Sequence, residues 1–174
     1  PTEHGALYYP RVTEFDPLRG GALGEFVPCG AVAGVMARTD VTRGVWKAPA
    51  GIDAGLTGVN GLSAPMTDTD SGTLNPIGVN CLRSFPGIGT VVFGARTLVA
   101  ANTAFQQYRY VPIRRMALFL EQSLYASLGW VVFEPNDVPL WEGVKRTLNA
   151  FLRGLWTDGA LAGSTPDQAF YVKC

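Results

Sequence analysis

The sequence predicts an α/β (α+β mixed) fold, a mixed sheet covered by two long helices. Three observations carry this. Short strand-like runs flank Gly-rich turns in the middle of the chain. Two segments in the second half repeat apolar residues at the 3, 4, 7 spacing of one helix face. Strand-like and helical stretches also alternate along the second half, which implies layered packing.

Taken in order, residues 1–28 are punctuated by Pro10, Pro17, Pro28 and Gly20-Gly21, and Ala6 to Tyr9 is the only strand-like run expected there. Gly30 to Arg38 is small and apolar. Its Ala and Met content and scarcity of β-branched residues favour a buried helix over a strand. Residues 42–78 read as loops with short strands. Thr67-Asp68-Thr69-Asp70 is suited to capping a short helix that ends near Leu74, ahead of Asn75-Pro76. Asn80 to Phe85 and Thr90 to Gly94 predict two strands joined by the turn Pro86-Gly87-Ile88-Gly89.

In 111–128, the residues Ile113, Met116, Ala117, Leu120, Leu124 and Leu128 form a helical stripe, with Pro112 in the first turn and Gly129 past the end. Trp130-Val131-Val132-Phe133 is wholly apolar and predicts a central strand. Asp137 offers an N-cap to a second long helix reaching about Trp156. Its stripe is Trp141, Val144, Leu148, Phe151, Leu152 and Leu155, and Gly159 lies beyond it. Ala169 to Lys173 predicts a last strand.

Composition narrows the function classes. The chain has 174 residues, 47% hydrophobic and only 16% charged. That charge fraction, below the roughly 25% usual for soluble chains, suits a lightly charged surface that packs against neighbours. Net charge is zero, which supplies no global field for nucleic acid. Residues 1–79 carry five basic and eight acidic side chains, while 80–174 carry nine and six. Cys29, Cys81 and Cys174 lie far apart with no C-x-x-C pair, so zinc and dithiol chemistry have no support. No run approaches the length of a membrane span, and no signal peptide is expected.

No catalytic constellation is expected, and no cofactor or metal. The single histidine, His4, lies in a Pro/Gly-punctuated segment, and no G-x-S-x-G elbow accompanies it. Asp68 and Asp70 suit capping better than calcium, because no EF-hand pattern is completed. Glu134 and Asp137 sit where acidic residues complement a helix start. Arg109, Arg114 and Arg115 cluster at a helix start, where the macrodipole disfavours them, so an acidic partner is expected. Lys145, Arg146 and Arg153 lie on the other helix.

Several stretches carry a resemblance. They are GAVAGVMARTD (30–40), GVWKAPAG (44–51), LNPIGVNCLRSF (74–85), GART (94–97) with RYVPIRR (109–115), WVVFEPNDVPL (130–140) and AFYVKC (169–174). Together they resemble, in order and over nearly the whole chain, the tail sheath proteins of contractile phages and related injection systems. The resemblance implies a non-enzymatic subunit of a helical homo-oligomer in the virion tail, which surrounds an inner tail tube and contracts to drive it through a host envelope. It implies partners: other sheath subunits joined by strand-exchanging arms, the inner tail tube protein, and baseplate and tail terminator proteins. Nucleic acid and membrane are not among them.

By the same resemblance, residues 1–66 are the end of a subtilisin-like domain and 67–174 a C-terminal domain that lacks its C-terminal arm. The chain is then expected to be a fragment, soluble and at most weakly oligomeric. Lys145, Arg146 and Arg153 are the expected contacts to the inner tube. Ala169, Phe170, Tyr171, Val172 and Lys173 are the expected inter-subunit strand edge. The competing readings are a serine hydrolase on the subtilisin-like region and a ligand-binding α/β module.

Overall fold

The structure, a computed structural model, describes residues 2–173, with the backbone alone for 103–105. Its mixed α/β architecture has six strands, β1 (Leu7–Tyr9), β2 (Val12–Asp16), β3 (Ala22–Phe26), β4 (Gly61–Leu62), β5 (Val79–Phe85) and β6 (Gly89–Val92). The helices are α1 (Cys29–Arg43), α2 (Asp68–Leu74), α3 (Val111–Ser127), α4 (Val138–Thr157) and α5 (Pro166–Ala169). The chain divides into two compact units, Pro1–Met116 and Ala117–Cys174.

Both sheets belong to the first unit. One is mixed, in the order β1-β5-β6, with β1 parallel and β6 antiparallel to β5. The other is antiparallel, in the order β3-β2-β4. Helix α1 joins them into one core. Its Val32 and Val35 pack with Val12 of β2, Leu82 of β5, Val92 of β6 and Ala54. Residues 30–38 thus form the helix their composition favours, but it is not buried. Val32 and Val35 face the core while Gly30, Ala33, Gly34, Ala37 and Arg38 are exposed, since a helix on the rim of the core buries one side only. The strands around the 86–89 turn form with Phe85 opposite Gly89.

Residues 1–28 hold more than the single strand expected. Val12–Asp16 and Ala22–Phe26 pair as a hairpin with Phe15 opposite Leu23, its turn held by the Asp16 carboxylate accepting from Leu18 N at 2.9 Å. The acidic residues in VTEFD and the glycine in ALGEF dilute any period-2 apolar signal there. The stripe read on α3 also loses one member, since Ile113 is exposed while Val111, Pro112 and Met116 are buried.

In the second unit the long helix forms as its caps require. Asp137 Oδ1 accepts from Leu140 N at 3.1 Å. At the other end Gly159 takes φ 82°, with Gly159 N bonded to Trp156 O and Ala160 N to Leu155 O. That pair of bonds is a Schellman motif, and the left-handed residue it needs is the glycine expected past the helix.

The two strands expected in this unit do not form. Trp130 belongs to a 3-10 turn, Gly129–Val131, and consecutive bonds from Val131 N to Leu128 O and Glu134 N to Val131 O spend the local donors on turns. Phe133 takes φ 70° and is fully exposed. Four apolar residues between two helices cannot reveal whether a sheet lies beside them, and here none does among the described residues. Ala169 ends the short helix α5, begun by Pro166, and 170–173 continue as irregular chain.

Candidate assembly surfaces

Of the residues that stood out for possible chemistry, Asp68, Asp70 and Asp137 have structural employment, while Glu134 is exposed and makes no ion pair among the described residues. Asn80 is fully buried, and its Nδ2 donates to Leu7 O (3.1 Å) and Arg96 O (2.8 Å) while its Oδ1 accepts from Arg96 N (2.7 Å). A Cβ at Gly94 would stand 2.9 Å from Asn80 Oδ1, so only glycine permits this approach. Thr97, also buried, donates to Tyr108 O at 2.7 Å. The 74–85 and 94–97 motifs are therefore two sides of one hydrogen-bonded knot centred on Asn80, whose amide group is satisfied on both ends.

The acidic residues cap and pair. Thr67 and Asp70 form a reciprocal capping box on α2. Hydrogen bonds from Thr67, side chain first and then backbone, hold the Asp70 carboxyl below its ordinary value. Asp68 Oδ1 accepts from Arg83 Nη1 at 2.6 Å, and the Arg83 guanidinium lies over the rings of Phe85 and Phe93 at 4.8 and 5.1 Å. His4 lies 3.3 Å from Glu3 through Nε2 and 3.3 Å from Arg114 Nη2 through Nδ1. Its ring nitrogens thus face charged partners.

Of the helix-start arginines only Arg115 has an acidic partner among the described residues, Asp40 of α1, which accepts two bonds from it at 2.8 and 2.5 Å. That pairing raises the Arg115 pKa. Arg114 stacks over Tyr108 at 4.7 Å. Tyr8, packed beside the core, is pushed up to about 12 by burial, against the opposing pull of Arg115.

The second unit carries the nominated contact residues. Lys145, Asn149 and Arg153 follow one another at four-residue spacing along α4, and Arg146 is seven residues from Arg153. All four therefore share one side of the helix. Arg146 and Arg153 are exposed and Lys145 half-buried. None of the three is in an ion pair among the described residues. Arg153 and Asn149 line a groove of about 330 Å³ whose other wall includes Phe170, Tyr171 and Val172. The fold thus brings one of the basic residues against the nominated terminal segment. Ala169 lies in α5, and Phe170, extended at φ −155° and ψ 163°, turns the chain out of it toward Lys173.

One cluster was not singled out from sequence. Arg38 and Arg43 of α1, Lys47 and Asp53 surround a cavity of about 170 Å³. The spacing Arg38, Arg43, Lys47 was the available signal, but helix and loop must both be placed before the three converge. Asp53 sits below its ordinary carboxyl value, first through its own backbone amide and then through Lys47. Among the described residues no group of His, Cys, Asp and Glu could hold a metal ion, and no helix is long and apolar enough to cross a membrane.

These sheets, knot and helices match known proteins. The family model described as phage tail sheath protein central domain covers residues 2–98, and the phage tail sheath C-terminal domain covers 103–173. The chain belongs to the phage tail sheath family.

Its similarity to curated sheath proteins is moderate. It is 29% identical to the tail sheath protein of Burkholderia phage BcepMu over 163 residues, 90% of this chain and 33% of that protein. It is also 29% identical to the tail sheath protein of Vibrio phage KVP40 over 127 residues, 72% of this chain and 18% of that one. Among solved structures, a chain of the anti-feeding prophage baseplate matches with TM-score 0.87 and 35% identity, covering 99% of this chain and 44% of its own. The PVC sheath complex, an extracellular contractile injection system in the contracted state, matches at 0.86 and 36%, covering 99% and 46%. The chain spans less than half the length of these relatives.

Proposed function

We propose that the chain is a structural part of a contractile sheath subunit, one that packs around an inner tail tube and acts by rearranging its contacts without catalysis. The observation that carries this is co-linearity. Both sheath domain models match in order across residues 2–98 and 103–173, and a contracted-sheath chain shares the fold at a TM-score of 0.86. The engaged positions of Asp68, Asp70 and Asp137 support a mechanical role, since each is committed to an ion pair or a cap.

The partners follow from surfaces. The basic side of α4, where Lys145, Arg146 and Arg153 outnumber the one acidic residue Glu142, suits an acidic strip on the inner tube protein. Such a contact would orient and register the subunit more than it would add affinity. The extended segment beyond α5 makes no strand within the chain among the described residues, which leaves Tyr171, Val172 and Lys173 free to join a neighbour's sheet. The two sheets end on β1 and β3, edges of the kind such a strand would extend. Baseplate and tail terminator proteins are the further partners, and the assembled tail or injection particle is the place of action.

A second reading refines the first. Identities of 35–36% to injection-system chains exceed the 29% to curated phage sheaths. This favours a phage-like injection particle over a phage tail.

Negative-stain electron microscopy of the native gene product carrying this chain, expressed alone, tests the proposal. Hollow tubes of uniform width are expected. A monodisperse monomer at every concentration, with labelling by a serine-reactive probe, would replace the sheath reading with the hydrolase.

A further inference from the structure

The Arg38, Arg43, Lys47 and Asp53 cluster has no part in the contacts above, and it has the makings of a receptor. Three cations line the cavity with one carboxylate, and two of them face it. Arg43 Nη1 and Lys47 Nζ approach Asp53 Oδ2 at 3.3 and 3.7 Å. Two of the cations are held by neutral acceptors, Arg38 Nη2 donating to Gly55 O at 2.6 Å and Lys47 Nζ to Ala48 O at 3.0 Å. Carbonyls fix a cation's position without cancelling its charge. The site is therefore pre-positioned with two positive charges unneutralised, and little ordering remains when an anion arrives. The 170 Å³ cavity has room for about five waters, which an incoming side chain end would displace.

We propose that this cluster receives a carboxylate from a second copy of the subunit, and that Glu25 on the β2–β3 hairpin supplies it. The inference rests on the sheath reading. Glu25 is exposed and makes no ion pair among the described residues. The register places Glu25 opposite Thr13 and Leu23 opposite Phe15, so Glu25, Leu23 and Phe15 share one face. Phe15 and Leu23 are more than half exposed. The receptor is flanked in the same manner, with Val41 on α1 and Ile52 beside Asp53 both largely exposed. An acid beside an apolar pair thus meets a basic site beside an apolar pair.

Charge also selects the geometry. A basic site cannot face its own copy without repulsion, so the contact joins different patches on the two copies. Contacts of that kind repeat head to tail and build open helices unless the rotation closes a ring.

The test uses Arg43→Glu and Glu25→Lys, each introduced alone into the native gene product, with association read by sedimentation velocity and tubes scored separately by microscopy. Arg43→Glu leaves the receptor with two cations and two carboxylates and no net attraction for Glu25, and Glu25→Lys sets a cation against the basic site, so in each variant self-association is expected to fall by about tenfold or more. A one-to-one mixture restores opposite charges at both kinds of junction. The receptor altered by R43E meets the hairpin altered by E25K, and the unaltered Arg43 meets the unaltered Glu25. The mixture is therefore expected to associate several-fold more tightly than either variant alone. Misfolded variants would not rescue each other. Singles that associate normally, or a mixture no better than its components, would overturn the pairing. Absence of tubes from the unaltered protein counts against the sheath reading, while its sedimentation against the variants still reports the contact.

Discussion

The two compact units place their apolar residues differently. In the first, Pro1–Met116, apolar side chains from both sheets and α1 are fully enclosed, including Val35, Leu82, Val91 and Val92. In the second, Ala117–Cys174, only Leu155 is buried among the described residues, while Tyr125, Val132, Phe133 and Tyr171 stand mostly in solvent. The first unit carries the enclosed core and its hydrogen-bonded knot. The second unit leaves most of its large apolar side chains at least partly in solvent around a single buried leucine, whereas the exposed apolar residues of the first unit, such as Leu18 and Val41, surround an enclosed core.

The largest effect expected from breaking this contrast lies in the first core. Leu82→Ala removes a fully buried side chain where α1 meets the mixed sheet, and is expected to cost about 3 kcal/mol in denaturant unfolding. The matching truncation Leu148→Ala in the half-buried α4 stripe is expected to cost about 1 kcal/mol in the free chain. Equal costs would erase the distinction. Asn80→Ala comes next, at about 2 kcal/mol, because the carbonyls of Leu7 and Arg96 and the amide of Arg96 lose their buried partner.

The capping box of α2 is expected to matter less. Thr67→Ala should cost about 1 kcal/mol and return the Asp70 carboxyl toward its ordinary value, as read by NMR titration. The sign follows from the depressed pKa. Stability from ionised Asp70 is fully present above the unfolded carboxyl pKa and is lost as pH falls through the folded one. In the variant that acid-side loss should shrink.

Tyr8→Phe is the smallest. The Tyr8 hydroxyl is buried without a hydrogen-bond partner among the described residues, so its removal should change stability by less than about 0.5 kcal/mol at neutral pH. Burial penalises the tyrosinate, with a folded pKa of about 12 against an ordinary 10.0, so the fold keeps its full stability below the unfolded pKa and loses part of it as pH rises toward 12. The phenylalanine variant should lack this alkaline step.

Where residues act through neighbours close in sequence, the fold was legible. The α2 capping box, the Asp137 cap and the Gly159 termination of α4 each depend on groups within one helical turn, and each was visible as a pattern. The helical preference of 30–38 was legible because Ala and Met dominate it. Trp130 to Phe133 was not, because a short apolar run says nothing about its partner. In the structure Trp130 meets α4, where its ring lies 3.1 Å from where a Cβ on Gly143 would be. Ala169 to Lys173 likewise has strand-like residues and no strand beside it among the described residues. The hairpin of β2 and β3 was obscured by its charged and glycine residues. Of the surfaces, the side of α4 was readable from spacing alone. The convergence of Arg38, Arg43 and Lys47 on Asp53 required the turn at residues 44–53 to be folded first.

Hydrogen exchange on the native gene product, before and after assembly, tests the division between the units most directly. Slow exchange is expected in β5, β6 and α1 in both states, with 117–173 exchanging readily in the free subunit and becoming protected on assembly. Equal protection of 117–173 in the two states would contradict that division, and would show that the second unit is complete without neighbours.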